Sequence, residues 1–240
     1  MRRFFAPPED LFDETVVLGP DETRHLKDVL RLRPGDNAQV FDGGGREFLC
    51  VIEAVDKKSA HLKVVKEVIP AAPESPLDLT LAVTVTKGEK FDLVVQKAVE
   101  LGVSELIPIF TERSDVKPGA SEKRHERWQK IALEACKQSG RAKLMTVDQP
   151  IDFGKLLGQL ETKGTIVLFS ERGGADFETI VSADKITAFV GPEGGWDDAE
   201  LDQARRQNIQ IITFGGRILR AETAAIAFAA LLQNRFGDLR

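Results

Sequence analysis

Two glycine-rich loops near the end of the chain carry the residues best suited to chemistry. The first, Gly191-Pro192-Glu193-Gly194-Gly195, directly follows the apolar run 186–190. The second, Gly215-Gly216-Arg217-Ile218-Leu219-Arg220-Ala221-Glu222-Thr223, directly follows 209–214. Glycine takes backbone conformations that other residues resist and lets the chain approach a ligand closely. Each loop leaves a buried-looking strand and enters a helix, and in open α/β sheets that junction offers free backbone donors to a ligand. Either loop alone reads equally well as a tight turn. Two in close succession, the second with arginines, point to one shared pocket.

The pocket has a recognisable charge preference. Neither loop matches the G-x-G-x-x-G or G-x-x-x-x-G-K-[ST] pattern, so the dinucleotide and P-loop fingerprints are absent. Glu193 puts a carboxylate where a phosphate nest would present only N–H donors and cations. A neutral or cationic ligand fits these loops better than a polyphosphate.

The rest of the composition removes several classes. Cys50 and Cys136 are the only cysteines and lie far apart, which gives neither a disulfide framework nor a metal spacing. His25, His61 and His125 are scattered and complete no zinc pattern, so no metal is expected. The longest apolar stretch, 224–232, is far short of a membrane span, and the start Arg2-Arg3-Phe4-Phe5-Ala6-Pro7-Pro8 lacks the apolar core of a secretory signal. A cytoplasmic protein without membrane contact is the expectation. The net charge of −5 argues against a nucleic-acid partner, but its distribution does not. Residues 112–143 hold nine Lys or Arg against five acids, and Arg24, Lys27, Arg31 and Arg33 form a second basic cluster beside the arm Arg2-Arg3.

The elements that must position the loops fall into two textures. Before residue 70 come short β-like runs at 16–18, 38–41, 47–55 and 60–68, with a short helix over 21–32 and turn signals at Pro34-Gly35-Asp36 and Asp42-Gly43-Gly44-Gly45. That pattern predicts a small β-barrel. A proline-rich linker occupies 70–76. Beyond it strands at 79–86, 106–110, 166–169, 186–190 and 209–214 alternate with helices, among them 91–101, 122–139 and one opened by Asp197 with Glu200 in a capping-box spacing. Alternation of this kind predicts an α/β domain with a mainly parallel sheet. The last helix, 222–236, is apolar nearly all round, so it needs either the core or a second copy of the chain to cover it. Trp196 could wall the pocket or pack the next helix, and Trp128 reads as a core anchor.

Taken together, Gly191-Pro192-Glu193-Gly194-Gly195, Arg217-Ile218-Leu219-Arg220-Ala221-Glu222-Thr223-Ala224-Ala225 and Arg235-Phe236-Gly237-Asp238-Leu239 resemble the signature of the RsmE-type ribosomal RNA methyltransferases of the SPOUT class. The likeness extends to Arg2-Arg3-Phe4-Phe5, the segment 25–36 and Lys97-Ala98-Val99-Glu100-Leu101-Gly102-Val103, and so covers essentially the whole chain. The resemblance implies a PUA-like barrel for RNA over 1–70 and a SPOUT domain over 77–240 whose cofactor site is a trefoil knot. It implies a homodimer that transfers a methyl group from S-adenosylmethionine to N3 of a uridine in the decoding region of 16S rRNA, in the small ribosomal subunit. Threaded chains are so rare that periodicity alone would predict none.

Carried over by motif, the cofactor-binding residues are Leu168, Phe169, Gly191, Pro192, Glu193, Gly194, Gly195, Phe214, Gly215, Arg217, Ile218, Leu219, Arg220, Thr223 and Ala224, with Ser170 beside them. A sulfonium donor without phosphate agrees with loops that hold Glu193 and lack phosphate fingerprints. Uridine N3 must lose a proton, and a cation near O2 or O4 would stabilise the anion that forms. Arg220 is the first candidate for that cation, with an ion pair to Glu222 as its plainer role. Glu222, Glu193 or solvent could take the proton. Arg2, Arg3, Arg24, His25, Arg31 and Arg33 are candidate RNA contacts, with a structural role as the alternative for His25. On residues alone, a related methyltransferase with another RNA target and a non-catalytic rRNA-binding assembly factor stay open.

Overall fold

The computed structural model describes residues 2–12, 14–116, 121–160, 164–181 and 184–239, with the side chains of 121 and 122 left aside. Lys117, counted in the basic run above, lies outside the described residues. The chain divides into two compact units, one of Met1–Glu74 with Cys136–Leu144, the other of Ser75–Ala135 with Met145–Arg240.

The first unit is a six-stranded sheet: β1 (Arg3–Phe5), β2 (Leu11–Phe12), β3 (Thr15–Leu18), β4 (Asn37–Phe41), β5 (Glu47–Val55) and β6 (Ala60–Val68). The order is β1-β4-β5-β6-β3-β2, antiparallel except for β1 against β4. Its alternating inward residues, among them Phe4, Val16, Leu18, Val40, Ile52 and Leu62, make one apolar core. Strands β1 and β2 are too short to announce themselves by periodicity. The helix predicted over 21–32 is shorter: α1 (Pro20–Arg24) runs into a wide π-type turn at His25–Val29 and stops where Arg31 turns to φ +54° and the Leu32 N–H reaches back to Leu26 O.

Residues 136–144, second-domain by sequence order, pack with this unit. The Arg141 guanidinium grips the Glu74 carboxylate at 2.6 Å, the Gly45 N–H donates to Ala142 O, and the Leu144 N–H donates to Gly43 O. Burial pushes the thiol of Cys136 up to about 11 and that of Cys50 up to about 12, so neither is a thiolate at neutral pH.

The second unit is built on a parallel sheet: β7 (Asp78–Thr84), β8 (Glu105–Phe110), the two-residue strands β9 (Thr146–Val147) and β10 (Ile151–Asp152), β11 (Thr165–Phe169), β12 (Lys185–Val190) and β13 (Gln210–Ile212). The order runs β10-β8-β7-β12-β11-β13, with β9 also on β8. Among the described residues the α-helices that accompany it are α2 (Lys90–Glu100), α3 (Ser121–Ser139, whose last turn belongs to the first unit), α4 (Phe153–Gln159), α5 (Asp198–Arg206) and α6 (Ala221–Phe236). The strands bury both faces, as parallel strands between helices must. Asp197 caps α5 with the Glu200 capping box that the sequence predicts. Helix α6 turns Ala221, Ala225, Phe228, Ala229 and Leu232 inward, while Ile226, Ala227, Ala230 and Leu231 stay half-buried.

The topology explains why the two glycine loops meet. Strands β12 and β13 are consecutive in the chain yet pair with opposite edges of β11. The loops that leave them therefore converge over its C-terminal end.

Candidate active site

At that end Phe169, the last residue of β11, is buried with its ring stacked on Phe228 of α6 at 3.6 Å and 4°. Phe214, half-exposed, meets Phe228 edge-on. The Trp196 indole N–H donates to the Phe169 carbonyl at 2.8 Å and so ties the first loop to the strand end. These rings and the two loops enclose a pocket lined also by Ser170, Glu171, Val190, Arg217, Ile218, Leu219, Ala221 and Ala224.

Two glycines are required by this packing. A Cβ on Gly191 would lie 2.7 Å from the Trp196 ring, and at Gly195, held at φ +70°, it would lie 2.6 Å from Glu171 Oε1. Cations from the start of α2 and from two other loops brace the first loop. Lys90 pairs with Glu193, Arg113 reaches Gly194 O and Asp197, and Arg172 donates to Trp196 O at 3.1 Å. The Asp197 carboxyl is held below its ordinary range chiefly by the Ala199 amide, and then by Arg113. The pocket thus offers aromatic and aliphatic walls, main-chain polar groups from glycine turns, and carboxylates at Glu171 and Glu193. That donor set suits a flat aromatic ring joined to a cation and has no cradle for phosphate. Among the described residues no group of three or more His, Cys, Asp or Glu could hold a metal ion.

Comparison with known proteins agrees with this geometry. Residues 73–233 match the RNA methyltransferase domain model and residues 18–65 the RNA methyltransferase PUA domain model. Ribosomal RNA small subunit methyltransferase E from Synechocystis is 35% identical over 97% of this chain and 78% of its own length. The crystal structure of that enzyme from Neisseria gonorrhoeae, bound to S-adenosylmethionine, is 36% identical over 100% of both chains with a TM-score of 0.92. A putative methyltransferase from Legionella pneumophila, with the same cofactor bound, is 30% identical over 99% of both chains with a TM-score of 0.90.

The chain belongs to the ribosomal RNA small subunit methyltransferase E family.

In this methyltransferase E chain the residues expected from sequence fall into four groups. Phe169, the loop 191–195, Phe214, Arg217, Ile218, Leu219 and Ala224 line the pocket. Leu168 does not: its side chain is fully buried in the core on the other face of β11, because neighbouring residues of a strand point to opposite sides. Gly215, Arg220 and Thr223 are exposed outside the lining, and Glu222 is buried beside Lys90. The Arg220–Glu222 ion pair does not form; Glu222 lies 4.0 Å from Lys90 Nζ instead, and its Oε2 has no hydrogen-bond partner among the described residues.

The RNA candidates divide as well. Arg2, Arg24, Arg31 and Arg33 are exposed, and His25 is half-buried with Phe4 edge-on to its ring. Arg3 is a correction. The residue is 4% exposed and its guanidinium is fully engaged, bound to the Glu47 carboxylate at 2.8 Å, to Cys136 O at 2.9 Å and to Arg141 O at 2.6 Å. Glu47 and the carbonyls of Cys136 and Arg141 close over Arg3, so of two adjacent arginines only Arg2 is left outside. Sequence reasoning missed Glu171, Val190, Ala221, Phe228 and Lys90. Phe228 stands four residues after Ala224, and helical spacing would have found it.

Proposed function

We propose that this chain transfers a methyl group from S-adenosylmethionine to N3 of a uridine in the decoding region of 16S rRNA, within the small ribosomal subunit and in the cytoplasm. The carrying observation is the pocket over the end of β11, with both glycine loops intact and without a phosphate cradle. Full-length likeness to a methyltransferase E structure that binds this donor supports it.

When bound, the donor supplies an electrophilic methyl carbon on a cationic sulfur. Phe169, Phe214 and Phe228 give the pocket an aromatic wall, and Glu171 and Glu193 favour a cation there. As the new bond to N3 forms, the bond to sulfur breaks and its electron pair stays on sulfur. Arg220, exposed at the start of α6 and without an ion pair among the described residues, is assigned to the uracil oxygen, where it stabilises the anion left by loss of the N3 proton. Glu222 is assigned to receive that proton, since its Oε2 has no partner while Glu193 is engaged by Lys90. The first unit, with Arg2, Arg24, Arg31 and Arg33 exposed, is assigned to RNA phosphates. The knotted threading of the second unit and a homodimer that covers the half-buried side of α6 belong to the same reading.

The test incubates the protein and labelled S-adenosylmethionine with small subunits that lack the modification, then maps the methylated nucleoside by mass spectrometry. A single 3-methyluridine in the decoding region is expected. Methyl on another atom or RNA would refute the target, and RNA binding without transfer would refute the enzyme.

A further inference from the structure

We infer that Lys90 staples the two walls of the donor pocket together and so sets its width; the inference rests on the donor-pocket reading above. Lys90 opens α2 and does not line the pocket. Its ammonium is ion-paired with Glu193 of the first loop and lies 4.0 Å from Oε1 of Glu222, the second residue of α6, where the second loop passes into the helix. One cation from a third element therefore joins both loops. Arg113 and Arg172 brace the first loop too, but their partners Gly194, Asp197, Trp196 and Asp198 belong to it or to the start of α5, and the one further partner, Glu171 beside Arg172, is not in the second loop.

The electrostatics give Lys90 this role. Glu222 is 9% exposed, and a buried carboxylate is costly unless an opposite charge faces it. Among the described residues Lys90 is the one cation paired with either Glu193 or Glu222. Without it the Glu193 and Glu222 carboxylates, both facing the same ammonium, would lose their shared counter-charge, and their repulsion would drive the first loop away from the start of α6. Lys90 is a positioning residue: it acts on the donor through the loops it holds.

The test uses the full chain and the variants Lys90→Met, Lys90→Arg and the double variant K90M/E222Q. The side chain of Lys90 is 37% exposed, so its replacement opens no buried cavity. Hydrogen exchange of the Gly194 and Gly195 amides is read without ligand, and the Kd for S-adenosylmethionine by calorimetry. Lys90→Met is expected to speed the exchange and to raise Kd about two- to fivefold, the upper part of the range of partly exposed ion pairs. Lys90→Arg should return both values towards those of the unaltered protein. K90M/E222Q should recover part of the affinity, because the repulsion is gone with the charge. Lys90→Met with unchanged exchange overturns the staple, as does a loss that neither Lys90→Arg nor E222Q relieves. An unaltered protein that binds no S-adenosylmethionine would defeat the donor-pocket reading instead, and the ligand-free exchange would still decide whether Lys90 joins the loops.

Discussion

The Trp196 indole donates to the carbonyl of Phe169 across the floor of the pocket, at 2.8 Å, and the same ring fills the space against Gly191. One buried side chain thus fixes both the end of β11 and the bend of the first loop. Gly191→Ala would place a methyl 2.7 Å from that ring. It is expected to destabilise the fold by about 1–3 kcal/mol, as overpacking does, and to weaken donor binding more than tenfold. Thermal unfolding and calorimetry with S-adenosylmethionine check the two effects.

Arg220 lies outside the lining of the donor pocket and is exposed. Arg220→Ala is therefore expected to lower the rate of methyl transfer about 10²–10³-fold, the scale of losing one donor to a developing anion. Donor Kd should stay within about twofold of its starting value. Equal losses in both measurements would move Arg220 into cofactor binding.

Arg2 and Arg3 are adjacent and should behave oppositely. Arg3→Met leaves the Glu47 carboxylate, 0% exposed, without its partner, and should cost about 3–5 kcal/mol in urea unfolding. Arg2→Ala should change stability by less than about 0.5 kcal/mol yet weaken RNA binding and reduce the salt slope by about one. The slope is read from RNA affinity over a series of salt concentrations.

Asp148 supplies a pH signature away from the pocket. Loss of solvent, and then the neighbouring Glu105 carboxyl, hold its pKa above the ordinary carboxylate value, against a smaller opposing pull from His125. The folded chain therefore keeps a proton that the unfolded chain has lost. The resulting stability is complete below the ordinary value near pH 4 and is lost as pH rises through the raised one. Asp148→Asn should flatten that decline in urea unfolding as pH rises from about 4. An unchanged pH slope in the variant would rule the assignment out.

Much of the site was legible in the chain because its signals are local. The glycines of 191–195, the Asp197–Glu200 cap and the apolar strands 186–190 and 209–214 act on residues a few positions away, so spacing alone reveals them. Their common pocket followed from loops that each end a parallel strand. The roles of Arg3, Lys90 and Phe228 depend on partners far off in sequence: Glu47 and Arg141, Glu193 and Glu222, and Phe169. Periodicity cannot rank such partners, because Arg2 and Arg3 are the same residue type and only pairing with β4 decides which is buried. The return of residues 136–144 to the first unit has the same origin, since it is held by Glu74, Gly43 and Gly45. The sequence by itself determined the two loops, the alternation around them and the family; the tertiary structure alone decided which charges became structural and which stayed exposed, because burial is set by contacts that no local pattern encodes.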